Sequence, residues 1–194
     1  TLTDLDRPAE AIRYFTALLE NGGDPARCNY NIGLAQKLIG DIEASINAFD
    51  DAIEANPSWP NPRYSRGLAH LALQNFELGL PDYERRWGAW EGESIPPDFP
   101  HPAWQGQPIS GEKLLVWAEQ GVGDHILYAG LLSRLLTTGA HCTVECDPRL
   151  MTLFARSFPD ITFAGAETPP SEALRQSDFA YQVGMGSLMY RLGI

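Results

Sequence analysis

"NIGLAQKLIGDIEASINAFDDAIEANP", residues 31–57, decides the fold of the first half of this chain. Small and apolar residues recur every three to four positions on both sides of Gly40-Asp41, the spacing of two amphipathic helices. Glycine stops one helix and aspartate caps the next, so the stretch is a helix pair joined by a tight turn. "NPSWP" at 56–60 then turns the chain into a further helix.

Outward from this stretch a 34-residue period appears. Gly33 and Gly67 are one period apart, as are Ala11, Ser45 and Gly79, and Phe15, Phe49 and Tyr83. A small residue lets two helices approach closely, and an aromatic four positions later fills the space beside them. Such pairs stack because none buries its apolar face alone. Helices are predicted over 8–21, 26–39, 42–55, 60–73 and 76–90. Asp6 caps the first, with Pro8 in its first turn. Pro81 predicts an irregular turn in the last.

With glycine, small residue, aromatic, Ala52 and Pro57 at these spacings, the segment resembles tetratricopeptide repeats. Gln36 and His70 stand where that family usually has an aromatic, so these copies are divergent. The resemblance implies a short α-solenoid over 1–90, beginning in mid-repeat, and a protein or peptide partner on its concave face. The stripe implied there is Arg27, Tyr30, Leu34 and Lys37, matched 34 residues later by Asn61, Tyr64, Leu68 and Leu71. Tyr30 and Tyr64 are the candidate anchors. The competing expectation is that these side chains pack against neighbouring helices.

Residues 91–111 hold five prolines and three glycines and read as a linker, with Phe99 and Trp104 expected to pack. From 113 the period changes. "KLLVWAE" reads as a buried strand, followed by a glycine turn and a helix near 125–137. "HCTVECD" is a second strand, "PRLMTLFARSF" a helix, "ITFAG" a third strand and "DFAYQV" a fourth. Strands alternating with helices predict an α/β unit over 112–194, a partial Rossmann-like parallel sheet ordered 3-2-1-4.

The turn after the first strand of such a sheet is the usual ligand position. In "EQGVGDH", residues 119–125, Gly121 and Gly123 free the backbone to bend, and helix amides face the strand ends. The dinucleotide fingerprint fails at Ile126, and Asp124 places a negative charge where a phosphate would sit, so no cofactor is expected. Asp124 reads either as an N-cap or as a general base toward a hydroxyl. His125 is a candidate ligand contact with Gly121 and Gly123, reading either as an aid to proton transfer or as a solvent-facing residue of the first helical turn. "GMGS" at 184–187 lies across the switch point, making Gly186 and Ser187 the opposite wall of a crevice, unless side chains fill it.

The runs "PAWQGQPISGEKLLVWAEQGVGDHILYA" (102–129) and "SDFAYQVGMGSLMYRLG" (177–193) resemble bacterial proteins that join tetratricopeptide repeats to a glycosyltransferase-like domain. The motifs are Trp104 with Gly106, Gly111 with Lys113, and Glu119 through Asp124. Related heptosyltransferases carry a similar Gly-Asp whose acid is implicated as catalytic base, which implies that role for Asp124 and a sugar acceptor in the crevice. Leu127, Gly130 and Leu131 depart from the polar and Arg-Tyr positions of that family. Enzymes of this GT-B type use two Rossmann-like domains. The segment 112–194 supplies the acceptor side only, so an isolated chain is not expected to catalyse transfer. The alternative is a pure interaction scaffold in which the α/β segment caps the solenoid.

Composition bounds both readings. The 194 residues carry 25 acids against 14 bases, a net charge of −11, and 16 of the acids fall in the first hundred residues. A chain this acidic with no basic run repels phosphate backbones, which argues against nucleic acid. No apolar run is long enough to span a bilayer, and the polar N-terminus does not read as a signal peptide. Four residues of strand between Cys142 and Cys146 cover about 13 Å, too far for a disulfide or a shared zinc. Free buried thiols, no metal and a cytoplasmic location are expected.

Overall fold

The computed structural model describes residues 7–89 and 96–194, in two compact units divided between Ile95 and Pro96. Together they form the expected α plus α/β arrangement. The Asp6 cap lies outside the described residues, as do residues 91–95 of the expected linker.

The first unit is a succession of antiparallel helices: α1 (Pro8–Glu20), α2 (Pro25–Leu38), α3 (Ile42–Ala55), α4 (Pro60–Ala72) and α5 (Phe76–Tyr83). Local chemistry sets their ends. Asp24 caps α2 by accepting from the amides of Ala26 (3.0 Å) and Arg27 (3.4 Å), with Pro25 at the first helical position. Gly40 has φ of 88°, and Asp41 accepts from the Ala44 amide at 3.1 Å. The 34-residue period is a packing code. A Cβ at Gly33 would lie 2.6 Å from Phe49 Cε1, and one at Gly67 would lie 2.8 Å from the Tyr83 nitrogen. Helix pairs therefore touch through the glycines, and Phe49, fully buried, fills the gap with Tyr30, Ala52 and Ala69. Burying such an aromatic is worth about 2–3 kcal/mol.

Arg66 ties three helices together, donating from Nε to Asp82 at 2.6 Å and from its terminal nitrogen to Asp50 at 2.5 Å. The expected helix over 76–90 is shorter. Pro81 is accommodated inside α5, which ends at Tyr83 and tightens into a 3-10 turn over Glu84–Arg86. The missing proline N–H favours such tightening.

The second unit contains β1 (Lys113–Trp117), α6 (Val122–Ala129), α7 (Leu132–Leu136), β2 (His141–Cys146), α8 (Met151–Ser157), β3 (Thr162–Gly165), α9 (Glu172–Arg175), β4 (Tyr181–Gly184) and α10 (Leu188–Arg191). All strands are parallel, in the order β3-β2-β1-β4. Alternation sends Leu114, Val116, Cys142, Val144, Cys146 and Val183 into one core beneath α6, α7 and α8. Leu115, Trp117, Glu145, Gln182 and Gly184 face the other side.

Two boundaries differ from expectation. The helix predicted over 125–137 is two helices broken at Gly130, beginning three residues earlier. Residues 96–111 group with the sheet unit, so the boundary lies at 95 and not 111, while Phe99 and Trp104 are buried as expected. Trp104 and Ile109 lie in its core, and Trp104 donates its amide to the Gln182 carbonyl at 2.8 Å. Prolines end a helix, but they do not stop the segment from adding to a sheet edge.

Candidate functional site

The turn after β1 is built unlike a glycine-rich cradle. The left-handed residue is Gln120, at φ of 63°, while Gly121 is extended at φ of −102° and serves as the N-cap of α6. Neither Gly121 nor Gly123 takes a left-handed φ, so the expectation that they supply the bend is corrected. Gly123 is exposed, and an added Cβ there would meet nothing within 4 Å.

Asp124 is not the N-cap of α6; that position is held by Gly121, three residues earlier. Asp124 is the third helical residue, and its Oδ2 accepts from the Gly121 amide at 3.0 Å. This is the reach-back half of a capping box, and Gly121 offers no side chain for the other half. The carboxylate is partly exposed, anchored by one oxygen at the helix start.

His125 corrects an expectation. It is only 4% exposed, and its Nδ1 accepts from the Asp147 amide at 3.1 Å. That bond requires an unprotonated Nδ1, so the proton of the neutral ring resides on Nε2, which is buried with no partner. Because α6 begins at Val122, residues 122, 125, 129 and 132 form one inward stripe, and His125 is part of it. The apolar spacing carried this signal, obscured by starting the helix late.

Across the switch point the structure closes the predicted crevice. Glu119, 7% exposed, accepts at Oε1 from the Gly186 amide at 2.5 Å. A Cβ at Gly184 would lie 2.7 Å from that oxygen and 2.8 Å from Trp117 Cη2; one at Gly186 would lie 2.8 Å from the same oxygen. Trp117 Nε1 donates to Gln182 Oε1. Gly186 and Ser187 are buried against these groups and are not an open wall, which corrects their placement as ligand contacts. The glycines of "GMGS" make room for the chain's own glutamate and tryptophan.

Glu145, on the non-core face of β2, is 4% exposed. Burial raises its carboxyl to about 7, the Ala118 amide opposes that rise, and the charge of Glu167 adds to it. Its Oε1 has no partner. Asp147 is held below the usual carboxylate range by its hydrogen bonds from Arg149. Cys28, Cys142 and Cys146 are free and buried. Burial pushes the Cys142 and Cys146 thiols up to about 11, which disfavours the nucleophilic thiolate. Among the described residues no group of three or more His, Cys, Asp or Glu side chains could hold a metal ion. No described helix is long and apolar enough to cross a membrane.

On the repeats, the predicted stripe divides. Tyr30 is buried, with its ring 4.7 Å from Trp59 and 6.0 Å from Phe49, so it is a core residue and not an anchor. Trp59, missed as part of a turn, completes that cluster from the N-cap of α4. Leu34 packs on the same cluster. Leu71 lies against α5, where a Cβ at Gly79 would be 2.8 Å from its Cγ. Tyr64 is half-buried, 5.9 Å from the Tyr83 ring. Asn61 and Leu68 are also half-buried. Arg27 is exposed, 3.5 Å from Asp24. Lys37 is half-buried, and desolvation lowers its pKa.

The family model described as tetratricopeptide repeat matches residues 26–58, which span α2, α3 and the following turn. Protein FlbA of Caulobacter vibrioides is 26% identical over 207 residues, covering 86% of this chain and 35% of FlbA. The chain thus spans about a third of the length of this curated relative. Among solved structures, a mutant of the Thermobaculum terrenum O-GlcNAc transferase is similar at 13% identity and a TM-score of 0.41, covering 86% of this chain and 39% of that one.

Proposed function

We propose that this chain is a repeat-based protein-interaction module joined to the acceptor-side part of a glycosyltransferase-like domain of the heptosyltransferase-related GT-B type, acting in the cytoplasm. The observation that carries the second half of this reading is the exposed start of α6. Asp124 is tethered there by one carboxylate oxygen at 3.0 Å from the Gly121 amide, beside a Gly123 with open space above it. A sugar hydroxyl approaching along Gly123 would find a carboxylate acceptor and the uncapped first amides of a helix. In a complete homologue Asp124 would take the proton of that hydroxyl as its oxygen attacks the anomeric carbon of a nucleotide sugar, while the bond from that carbon to the nucleotide diphosphate breaks and the diphosphate leaves with the bonding electrons. Calorimetric titration of free hexoses and heptoses into the chain and into Asp124→Asn tests this. Saturable heat lost in the variant supports the reading, and no heat with either protein removes it.

A second reading, a pure interaction scaffold, is favoured by the filled switch point. Glu119 and Trp117 occupy the space in which a ligand of a parallel sheet would be expected. Under it, protein or peptide binding by α2 and α4 is the only activity, and Asp124→Asn changes neither that binding nor any sugar response.

A further inference from the structure

Trp104 with Gly106, and Gly111 ahead of Lys113, take no part in the switch point. They shape the opposite end of the sheet, where β1 and β2 begin. The Gly111 amide donates to the Gly139 carbonyl at 2.8 Å, which joins the approaches to the two strands. Trp104 Nε1 donates to the Gln107 carbonyl at 2.8 Å and closes the loop around Gly106. Gly106, at φ of 91°, lies against the end of α10, where a Cβ would stand 2.9 Å from the Arg191 carbonyl oxygen. Gly139, at φ of 76°, lies against Ser110, where a Cβ would stand 2.7 Å from Oγ. Both positions combine left-handed backbone with close approach, which only glycine meets without strain.

Between these loops and the end of α10 lies a cleft of about 290 Å³. Its apolar lining includes Trp104 and Ile109, both buried, and the half-buried Leu192. Its polar lining includes Ser110, Thr138 and Arg191. Thr138 Oγ1 already donates to the Leu135 carbonyl at 2.7 Å. The donors that line the cleft are therefore the hydroxyl of the exposed Ser110 and the guanidinium of the half-buried Arg191. The Arg191 guanidinium is stacked 4.9 Å over the Tyr190 ring, which fixes its plane. In a chain with a net charge of −11, one base and no acid line this cleft.

We propose that this cleft binds a small organic carboxylate with an apolar body. The planar guanidinium of Arg191 matches a carboxylate in shape and charge, and the Ser110 hydroxyl supplies a further donor. The apolar body rests on Trp104, Ile109 and Leu192. A mostly apolar lining with a few convergent polar groups is the make-up of small-molecule sites. At about 290 Å³ the cleft lies at the lower edge of their size range, which suits a small acid and not a nucleotide sugar. The five residues of β1, about 16 Å of strand, run from this end of the sheet toward the turn that carries Asp124. Binding in the cleft is therefore independent of any sugar response at the start of α6.

Amide chemical-shift mapping on the full chain tests it, with 3-phenylpropionate set against its uncharged amide, 3-phenylpropionamide. The carboxylate is expected to shift the Gly106, Ser110 and Thr138 amides and the Trp104 indole saturably, with Gly121, Gly123 and Gly186 unmoved. The uncharged probe binds about tenfold more weakly, and Arg191→Gln weakens the carboxylate by a similar factor. Circular dichroism confirms folding. If Arg191→Gln unfolds the chain, Ser110→Phe, at an exposed position, fills the cleft instead and removes the shifts. Equal binding of the two probes overturns the proposal, as does unchanged binding in the folded variant. No saturable shift at the cleft, or shifts centred on Gly121 and Gly123, overturns it as well.

Discussion

Glu119 and Gly186, 67 positions apart, are joined by a hydrogen bond of 2.5 Å from the Gly186 amide to Oε1. The bond ties the turn after β1 to the turn after β4 and fills the space between the ends of these two neighbouring strands. It also explains two glycines at once, because side chains at 184 and 186 would strike the same carboxylate.

Glu119→Ala leaves the buried Gly186 amide without its acceptor. A loss of about 2 kcal/mol is expected for a buried donor stripped of a charged partner. Urea denaturation followed by tryptophan fluorescence measures it. Gly184→Ala is expected to cost a similar amount, about 1–3 kcal/mol, because the Trp117 ring and Glu119 must both shift.

Gly123→Ala is the contrasting substitution. The added methyl meets nothing within 4 Å, and the glycine is helical. Thermal melting is expected to show a stability unchanged or raised by up to about 1 kcal/mol. A sugar response lost in this variant would therefore report blocked access, not unfolding.

The pH dependence of stability follows from two carboxyls of opposite sign. Glu145 is raised from 4.5 to about 7, so the folded state holds its proton more tightly than the unfolded state. Its contribution is full below 4.5 and is lost as pH rises through 7, by on the order of a few kcal/mol. Asp147 is lowered, so its contribution is present above the ordinary carboxylate range and lost as pH falls below it. Urea midpoints should fall between about pH 4.5 and 7 and level off above, and Glu145→Gln should flatten that slope while leaving the acid limb in place.

Arg66→Met tests the repeat packing. It leaves Asp82, 8% exposed, without its partner, and a loss of about 2–3 kcal/mol is expected from calorimetric melting. Replacing Asp50, which is exposed, should cost less than about 1 kcal/mol.

Much of this architecture was legible because it rests on periodic burial. The spacing of Gly33, Phe49 and Gly67 encodes contacts that recur every repeat, and the strand runs of 113–117 and 141–146 follow from continuous apolar character. What escaped were aperiodic contacts. Glu119 lies in a quoted motif, but its partner is set by strand order, and nothing local distinguishes a strut from a ligand contact. Tyr30 fits an exposed stripe by spacing, yet Trp59 from the next turn covers it. His125 was misplaced because the helix starts at Val122, which rotates residue 125 beneath it. The polar face of the sheet, with Glu145 and Gln182, contradicts the usual apolar strand and so had no pattern to reveal it.

The central claim, that the ligand surface is the start of α6 and not the filled switch point, is tested most directly by amide chemical-shift mapping. Hexoses and heptoses would be titrated into the isotopically labelled chain. Saturable shifts are predicted at Gly121, Gly123 and Asp124, with Gly186 and Ser187 unmoved. Shifts centred on Gly186 and Ser187, or no saturable shift at any amide, would contradict it.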